Sequence, residues 1–178
     1  MSGKIIGIVM ALVALIGGVG IWYLQIHAFY DDVPASGPGD VMLTARDSGQ
    51  PEPVAHSDFR AIDADSSPIR YRACFTLEAA PAELAERFVT RPESVPLVAP
   101  GWFDCFDAEE VGEALEDGSA TAFMGEENIT YGVDRVVAVF EDGRAVAWHE
   151  INHCGEEVFD GKPAPADCPP PPQAEGQD

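Results

Sequence analysis

The chain has 178 residues, with 10 Lys and Arg against 31 Asp and Glu, a formal net charge of −21. That length holds one domain of ordinary size with appendages, so a complete sensor kinase, a transporter or a large nucleotide-binding enzyme does not fit. The charge argues against nucleic acid as a partner, because proteins that bind phosphate backbones concentrate Lys and Arg.

The charge is divided unevenly. Residues 1–30 contain one charged side chain, Lys4, whereas the remainder holds 9 bases against 31 acids, a net −22. The uncharged heart of the N-terminal segment, Ile5–Leu24, is 20 residues long. As a helix it spans about 30 Å, the hydrocarbon thickness of a bilayer. Trp22, Tyr23, Phe29 and Tyr30 gather at its C-terminal end, where amphipathic rings favour the membrane–water interface. Lys4 at the other end places the N-terminus in the cytoplasm by the positive-inside rule. The alternative is a cleavable signal peptide. No A-x-A site comes after the apolar run, which continues as bulky Trp22-Tyr23-Leu24-Gln25-Ile26-His27, so a retained anchor is expected. Either reading sends the acidic portion to the same side, the periplasm of a bacterium. Gly7/Ala11 and Ala14/Gly18 have small-xxx-small spacing, which lets membrane helices approach one another. Gln25 and His27 read as interfacial rather than catalytic.

Residues 31–38, rich in Asp, Pro and Gly, read as a stalk without a packed core. Residues 39–168 form the expected α+β domain, long enough for one core. Within it Val41–Ala45 and Phe59–Ile62 read as short strands. Ile69–Leu77 alternates Ile69, Tyr71, Ala73, Phe75 and Leu77 against Arg70, Arg72, Cys74 and Thr76, the period of a half-buried strand. Cys74 then shares a face with the arginines and is placed to bridge to a covering segment. Pro81 opens a helix to about Thr90, with Leu84, Ala85 and Phe88 on its apolar face. Pro92, Pro96 and Pro100 keep the next stretch of chain irregular. Asp107 caps a second helix with Glu110 three residues on, Val111, Ala114 and Leu115 form its stripe, and Asp117-Gly118 ends it. Ile129–Phe140 and Arg144–Ile151 flank Glu141-Asp142-Gly143, a strong hairpin signal. Apolar residues on both faces of the first of these strands predict cover on both sides. The order of elements predicts an antiparallel sheet backed by two helices on one face. Pro169–Pro172 opens a tail, 169–178, expected to be extended and then disordered.

Four cysteines, Cys74, Cys105, Cys154 and Cys168, all fall in the external portion. An even count in an oxidising compartment reads as two disulfides. Of three connectivities the short-loop pairing, Cys74–Cys105 with Cys154–Cys168, is favoured. Spacings of 30 and 13 intervening residues match no zinc pattern of the C-x-x-C type.

The most suggestive stretch for chemistry is Trp148-His149-Glu150-Ile151-Asn152-His153-Cys154. Two histidines beside a cysteine suit copper or zinc. His149, Glu150 and His153 also spell H-E-x-x-H, whose zinc chemistry requires a helix that puts both histidines on one face. The β-rich run before it predicts a strand end instead, so these three are weak metal candidates. Asp63-Ala64-Asp65-Ser66-Ser67 begins like a calcium loop, but the glycine and bidentate glutamate are missing at the required offsets. A polar turn, with Arg70 and Arg72 pairing to the acids, is the simpler reading. Asn128-Ile129-Thr130 spells a glycosylation acceptor, read as chance in a bacterial chain. The acidic run Asp104, Asp107, Glu109, Glu110, Glu113, Glu116 and Asp117 is either a docking face for a basic partner or part of a general surface acidity. No G-x-S-x-G, P-loop or dinucleotide fingerprint is present.

The strings GKIIG, YLQIHAFY, AIDADSSPIRYRACF, APGWFDCFDA, GEENITYGVDRVVAVFEDGRAVAWHEIN and CGEEVFDGKPAPADCPPPP together resemble a family of uncharacterised, single-anchor envelope proteins of marine alphaproteobacteria. The resemblance covers nearly the whole chain. It implies no activity and no catalytic residue, and nothing in the sequence supports histidine-kinase chemistry. The expectation is a single-pass inner-membrane protein with a periplasmic, disulfide-stapled α+β domain. It would act without a cofactor as an accessory or interaction protein of an envelope or respiratory complex. A basic periplasmic protein or a membrane complex is the expected partner. The alternative is a metal-binding protein or metal-dependent hydrolase using His149, Glu150 and His153.

Overall fold

The computed structural model describes residues 3–27 and 29–172. A helix α1, Gly3–Ile26, opens the chain. Its Gly3–Gln25 portion has a mean hydropathy of 2.5 and none of it is buried against protein, so it is long and apolar enough to cross a membrane. The His27 ring lies 5.4 Å from Trp22 and 5.6 Å from Tyr23. It also meets Trp102 of the domain at 5.9 Å, and Trp102 meets Tyr30 at 6.0 Å. The end of α1 therefore packs on the domain through a run of aromatic rings.

The segment expected as a stalk is not free of the domain. Asp31–Val33 is a strand, β1, paired antiparallel with Asp63, Ile62 and Ala61. A 3₁₀ turn comes next at Pro38–Asp40, with Asp40 accepting from the backbone of Ser36 and Gly37 at 2.7 and 2.8 Å. Then come β2 (Met42–Thr44), β3 (Pro51–Pro53), β4 (His56–Asp63), β5 (Arg72–Leu77), α2 (Pro81–Arg87), α3 (Ala108–Asp117), β6 (Ala120–Thr130), β7 (Val133–Phe140), β8 (Arg144–Ile151) and α4 (His153–Phe159). Six strands form one antiparallel sheet in the order β1-β4-β5-β8-β7-β6, and β2 and β3 form a separate two-stranded sheet. The fold is α+β, as the pattern of elements predicted.

Both faces of the sheet are covered, and this decides where the helices go. On one face Ala73, Phe75, Leu77, Val137, Val139, Ala145 and Ala147 pack with Val41, Leu43, Leu84 and Phe88. On the other Ile62, Cys74, Val136, Ala138, Val146 and Trp148 pack with Phe103, Phe106, Val111 and Ala114. So α2 and α3 lie on opposite faces, not on one. The unbroken apolar run in β7 is the cause: a strand apolar on both sides must be buried on both sides.

The second face is roofed largely by irregular chain between residues 92 and 107, and two devices hold that roof down. The Cys74–Cys105 disulfide bonds it to β5. Arg72, only 3% exposed, donates to the carbonyls of Leu97, Val98, Ile69 and Tyr71 at 2.6–3.0 Å. Its guanidinium also lies 5.6 Å from the centre of the Phe106 ring. Arg72 thus pairs with carbonyls, not with the acids of 63–65. Arg70 stacks on Tyr30 at 5.5 Å, and Asp63 accepts from the Ala64 backbone. Burial pulls the Arg72 pKa down to about 10.

Other boundaries moved for local reasons. Helix α2 ends at Arg87 because Phe88 and Thr90 turn extended and bridge to Ala45 and Phe123. Strand β5 begins at Arg72 rather than Ile69. The run Ile129–Phe140 is two strands, broken at Tyr131-Gly132, where Gly132 has φ +76°. Asp107 caps α3 as expected, accepting from Glu109 and Glu110 N–H, and Gly118 closes it in the left-handed region. At the β7–β8 turn Gly143 has φ +87° and a Cβ there would meet Leu77 O at 2.7 Å. Pro169–Pro172 has no regular structure. The rest of the expected tail, 173–178, lies outside the described residues.

Helix α4 was not expected. Asn152 caps it, accepting from Cys154 and Gly155 N–H at 3.1 Å. It sits on the β6–β7 turn, where a Cβ on Gly155 would overlap Gly132 O. Backbone is not able to yield as a side chain does. Gly155→Ala is therefore expected to cost about 1–3 kcal/mol. Gly112→Ala, inside α3 with its nearest atom at 3.9 Å, should instead gain about 0.5–1 kcal/mol from helix propensity. Denaturant unfolding of the two variants checks both signs.

Candidate functional site

The weak metal candidates His149, Glu150 and His153 span the end of β8 and the start of α4, not one helix. Each is engaged differently. His149 is 6% exposed, and its ring stacks on Tyr71 at 4.7 Å. Its Nδ1–H donates to Pro68 O at 2.7 Å, and its Nε2 accepts from Arg135 Nε at 3.1 Å. Arg135 in turn lies over the Tyr71 ring at 3.9 Å. Both imidazole nitrogens are thus committed to protein. Burial first, then the charge of Arg135, lowers the His149 pKa to about 4. It is a neutral, structural histidine at pH 7.

Glu150 belongs to a second cluster. It accepts from Arg91 Nη2 at 3.0 Å and from Ser94 Oγ at 3.2 Å. Arg91 also donates to Asp134 Oδ2 at 2.6 Å. Asp134, 2% exposed, accepts through its other oxygen from Asn152 Nδ2 at 2.7 Å and from Asn128 N–H at 2.9 Å. Asn128, the residue of the glycosylation spelling, has φ +50°, and its side-chain oxygen accepts from Gly132 N–H and Asn152. Its side chain is therefore part of the turn. Arg91 and Glu150 also line one side of an open groove of about 510 Å³, whose apolar walls include Ile69, Val95, Leu97 and Ile151.

His153 stands apart, 61% exposed in its side chain, beside the Cys154–Cys168 disulfide. Its Nε2 lies 3.6 Å from Cys154 Sγ, 3.4 Å from Cys168 Sγ and 3.1 Å from Asp167 Oδ2. Among the described residues His153, Cys154 and Cys168 form a group with donor atoms within 4.8 Å of one another. The structure thus brings His153 to the cysteines and to an acid, and not to His149 or Glu150. Sequence reading missed Arg91, Asp134, Arg135 and Asp167. The signal for two of them was present: Asp134-Arg135 interrupts an otherwise apolar strand, and charges inside a buried strand need partners.

The acidic run of 104–117 lies mainly on α3 and its approach. Arg144 pairs with Glu110 at 2.9 Å and with Asp142 at 2.8 Å, which holds the Asp142 carboxyl below its ordinary range.

Fold and site together define a small, disulfide-stapled α+β domain behind an apolar helix. Residues 41–169 match the model of a family of unknown function, DUF6446, and the chain belongs to that family. The match covers the domain core and both disulfides and leaves out α1 and β1. No curated protein and no solved structure matches the chain.

The His149 shift has a consequence for stability. Its folded pKa lies below its unfolded value near 6.5, so the unfolded chain binds the extra proton between pH 6.5 and 4. Stability therefore falls as pH drops through that window, by up to roughly 3 kcal/mol from this residue. Asp63, whose pKa burial raises, works in the opposite direction at the acidic end. His149→Gln should flatten the fall in melting temperature between pH 6.5 and 4, measured by thermal denaturation in a pH series.

Proposed function

We propose that the chain is a single-pass protein of the bacterial inner membrane, with its N-terminus in the cytoplasm and its domain in the periplasm. There it serves, without catalysis, as an accessory protein that docks a basic partner of an envelope or respiratory complex. Lys4 at the N-terminal end of α1 and the aromatic rings at the other support the orientation. Two disulfides suit an oxidising compartment.

One observation carries the docking reading: all nine bases outside the anchor are engaged within the chain. Arg60, Arg87, Arg91, Arg144 and Lys162 are in ion pairs. Arg46 and Arg72 donate to carbonyls, Arg135 to His149, and Arg70 stacks on Tyr30. With 31 acids against nine bases outside the anchor, the surplus acids, including Glu109, Glu113 and Glu116 on α3, give the surface a net negative field. Such a field steers and holds a basic partner.

Crosslinking of the full-length chain in its native membranes, at about 50 mM and about 0.5 M salt, tests this because the Debye length shrinks several-fold across that range. A recurrent basic partner, lost at high salt and lost with Glu109→Lys/Glu113→Lys/Glu116→Lys, is the expected result. Crosslinks indifferent to both salt and charge reversal would overturn the reading.

A further inference from the structure

We propose that the end of the domain nearest α1 rests on the bilayer, with Val95, Val98 and Trp102 of the 92–107 roof seated in its headgroup layer as a second membrane contact. Such a contact rests on the reading above in one respect, that α1 spans the membrane, and does not involve the basic partner.

Strand register places these residues. The chain from α1 enters the sheet at Asp31; Asp32 pairs with Ile62, Ile62 with Arg72, and Arg72 with Trp148. Arg72 is therefore at the end of the sheet where α1 arrives, two strand spacings from β1, about 10 Å. Its guanidinium holds the Leu97 and Val98 carbonyls at 2.9 and 3.0 Å, which brings the roof to that end. The ring contacts of Trp102 with His27 and Tyr30 give the same placement from the side of the helix. None of Gly3–Gln25 is buried against protein, so α1 leaves the domain and does not fold back along it.

Apolar exposure is confined to the same end. Among the described residues outside α1, the exposed large apolar side chains are Phe29, Val95, Val98, Trp102, Ile151 and Phe159. Ile151 lies beyond Trp148 on β8 and pairs with Val133, and Phe159 lies against Gly132 of the β6–β7 turn, so both belong to this end. The opposite end, marked by the Thr76–Arg144 pairing and the turn at Glu141-Asp142-Gly143, has none of them. A single exposed Val or Phe is ordinary on a protein surface, but the gathering of all of them at one end marks an interaction face.

The roof is built for this position. Residues 94–103 carry no charge, the longest such run outside residues 5–30. Arg72 and the Cys74–Cys105 bond fix its backbone, so Val98, 79% exposed, and Val95, 69% exposed, are held outward and do not collapse onto the core. The layer between hydrocarbon and water is roughly 5–8 Å deep on each side of a bilayer, and indole rings favour it. Glu93 and Glu156 line the groove between Val95 and Ile151. These carboxylates stay in water and keep the contact shallow.

The test uses the full-length chain in vesicles of phosphatidylcholine, a zwitterionic lipid that does not repel those acids. The photocrosslinker p-benzoylphenylalanine is placed, one position at a time, where Val13, Val95, Val98 or Glu141 stands, all four of them exposed. Mass spectrometry after illumination identifies what each position has joined. The expected result is lipid adducts at Val13, Val95 and Val98 and none at Glu141, at the opposite end of the sheet. Lipid adducts at Val13 with none at Val95 and Val98 would overturn the contact and leave the spanning helix standing. So would adducts at Val95 and Val98 with a second copy of the chain in place of lipid, or lipid adducts at Glu141 in equal yield. No lipid adduct at Val13 would overturn the spanning helix itself, and the contact with it.

Discussion

A carboxylate inside a β-sheet is tolerated when both of its oxygens find donors, because desolvating an unpaired charge costs several kcal/mol. Asp134 meets that condition on β7 with three donors from three places: Arg91 from the chain after α2, the Asn128 backbone at the end of β6, and the Asn152 side chain before α4. Each of those donors has a second duty. Arg91 clamps Glu150, Asn128 closes the turn onto Gly132, and Asn152 caps α4. One buried charge thus fixes the β6–β7 turn, the end of β8 and the helix that carries His153 and Cys154. Removing it would leave the Asn152 amide and the Asn128 N–H without their acceptor and Arg91 without one of its two acids.

The remainder of the molecule solves a different problem. A sheet apolar on both faces needs two roofs, and a chain of this size has few helices to give. One roof uses α2 with the β2–β3 hairpin, and the other uses α3 with irregular chain. Irregular chain brings unpaired carbonyls, which a buried location penalises. Arg72 answers that with a guanidinium that donates to four of them, and the Cys74–Cys105 bond fixes the same segment covalently. The sulfur and the guanidinium come from one strand two residues apart, on the face that the alternation of 69–77 had marked as polar. That face is polar in composition yet buried, because its polar groups hold down its cover.

This explains which parts were legible in the sequence. Elements whose signal is local were readable: the alternation of β5, the Asp107 and Gly118 ends of α3, and the Asp-Gly turn between β7 and β8. The cysteine pairing found is the short-loop one that was favoured, although spacing leaves three connectivities open. Elements whose reason is distant were not. β1 is three residues of Asp, Asp and Val, and it is a strand because β4 offers it an edge. β6 merged with β7 because Tyr131-Gly132 is a weak turn signal until Gly155 is known to sit against it. Helix α4 is short and glycine-bearing, and its cap depends on a buried aspartate on another strand. The candidate site was half legible for the same reason. His149, Glu150 and His153 are neighbours in sequence, but a strand–helix junction sends them to three environments. Asp167 joins His153 only through the disulfide that returns the chain.

The short passage from α1 to β1 leaves little free chain between the apolar helix and the sheet. Only residues 27–30 separate the apolar helix from a strand of the main sheet, and part of that passage is packed on Trp102. A flexible stalk would let the domain turn freely and average its surface. A strand pairing with a ring contact ties the sheet, and through it the roof held by Arg72 and Cys105, to the end of the helix. β1 also covers an edge of β4 that would otherwise offer unpaired backbone groups to other chains. The same three residues therefore protect the sheet and couple it to the apolar helix. Arg60, Arg87, Arg144 and Lys162 stay more than half exposed in surface ion pairs, so the surface held in this way carries both signs, with acids in excess.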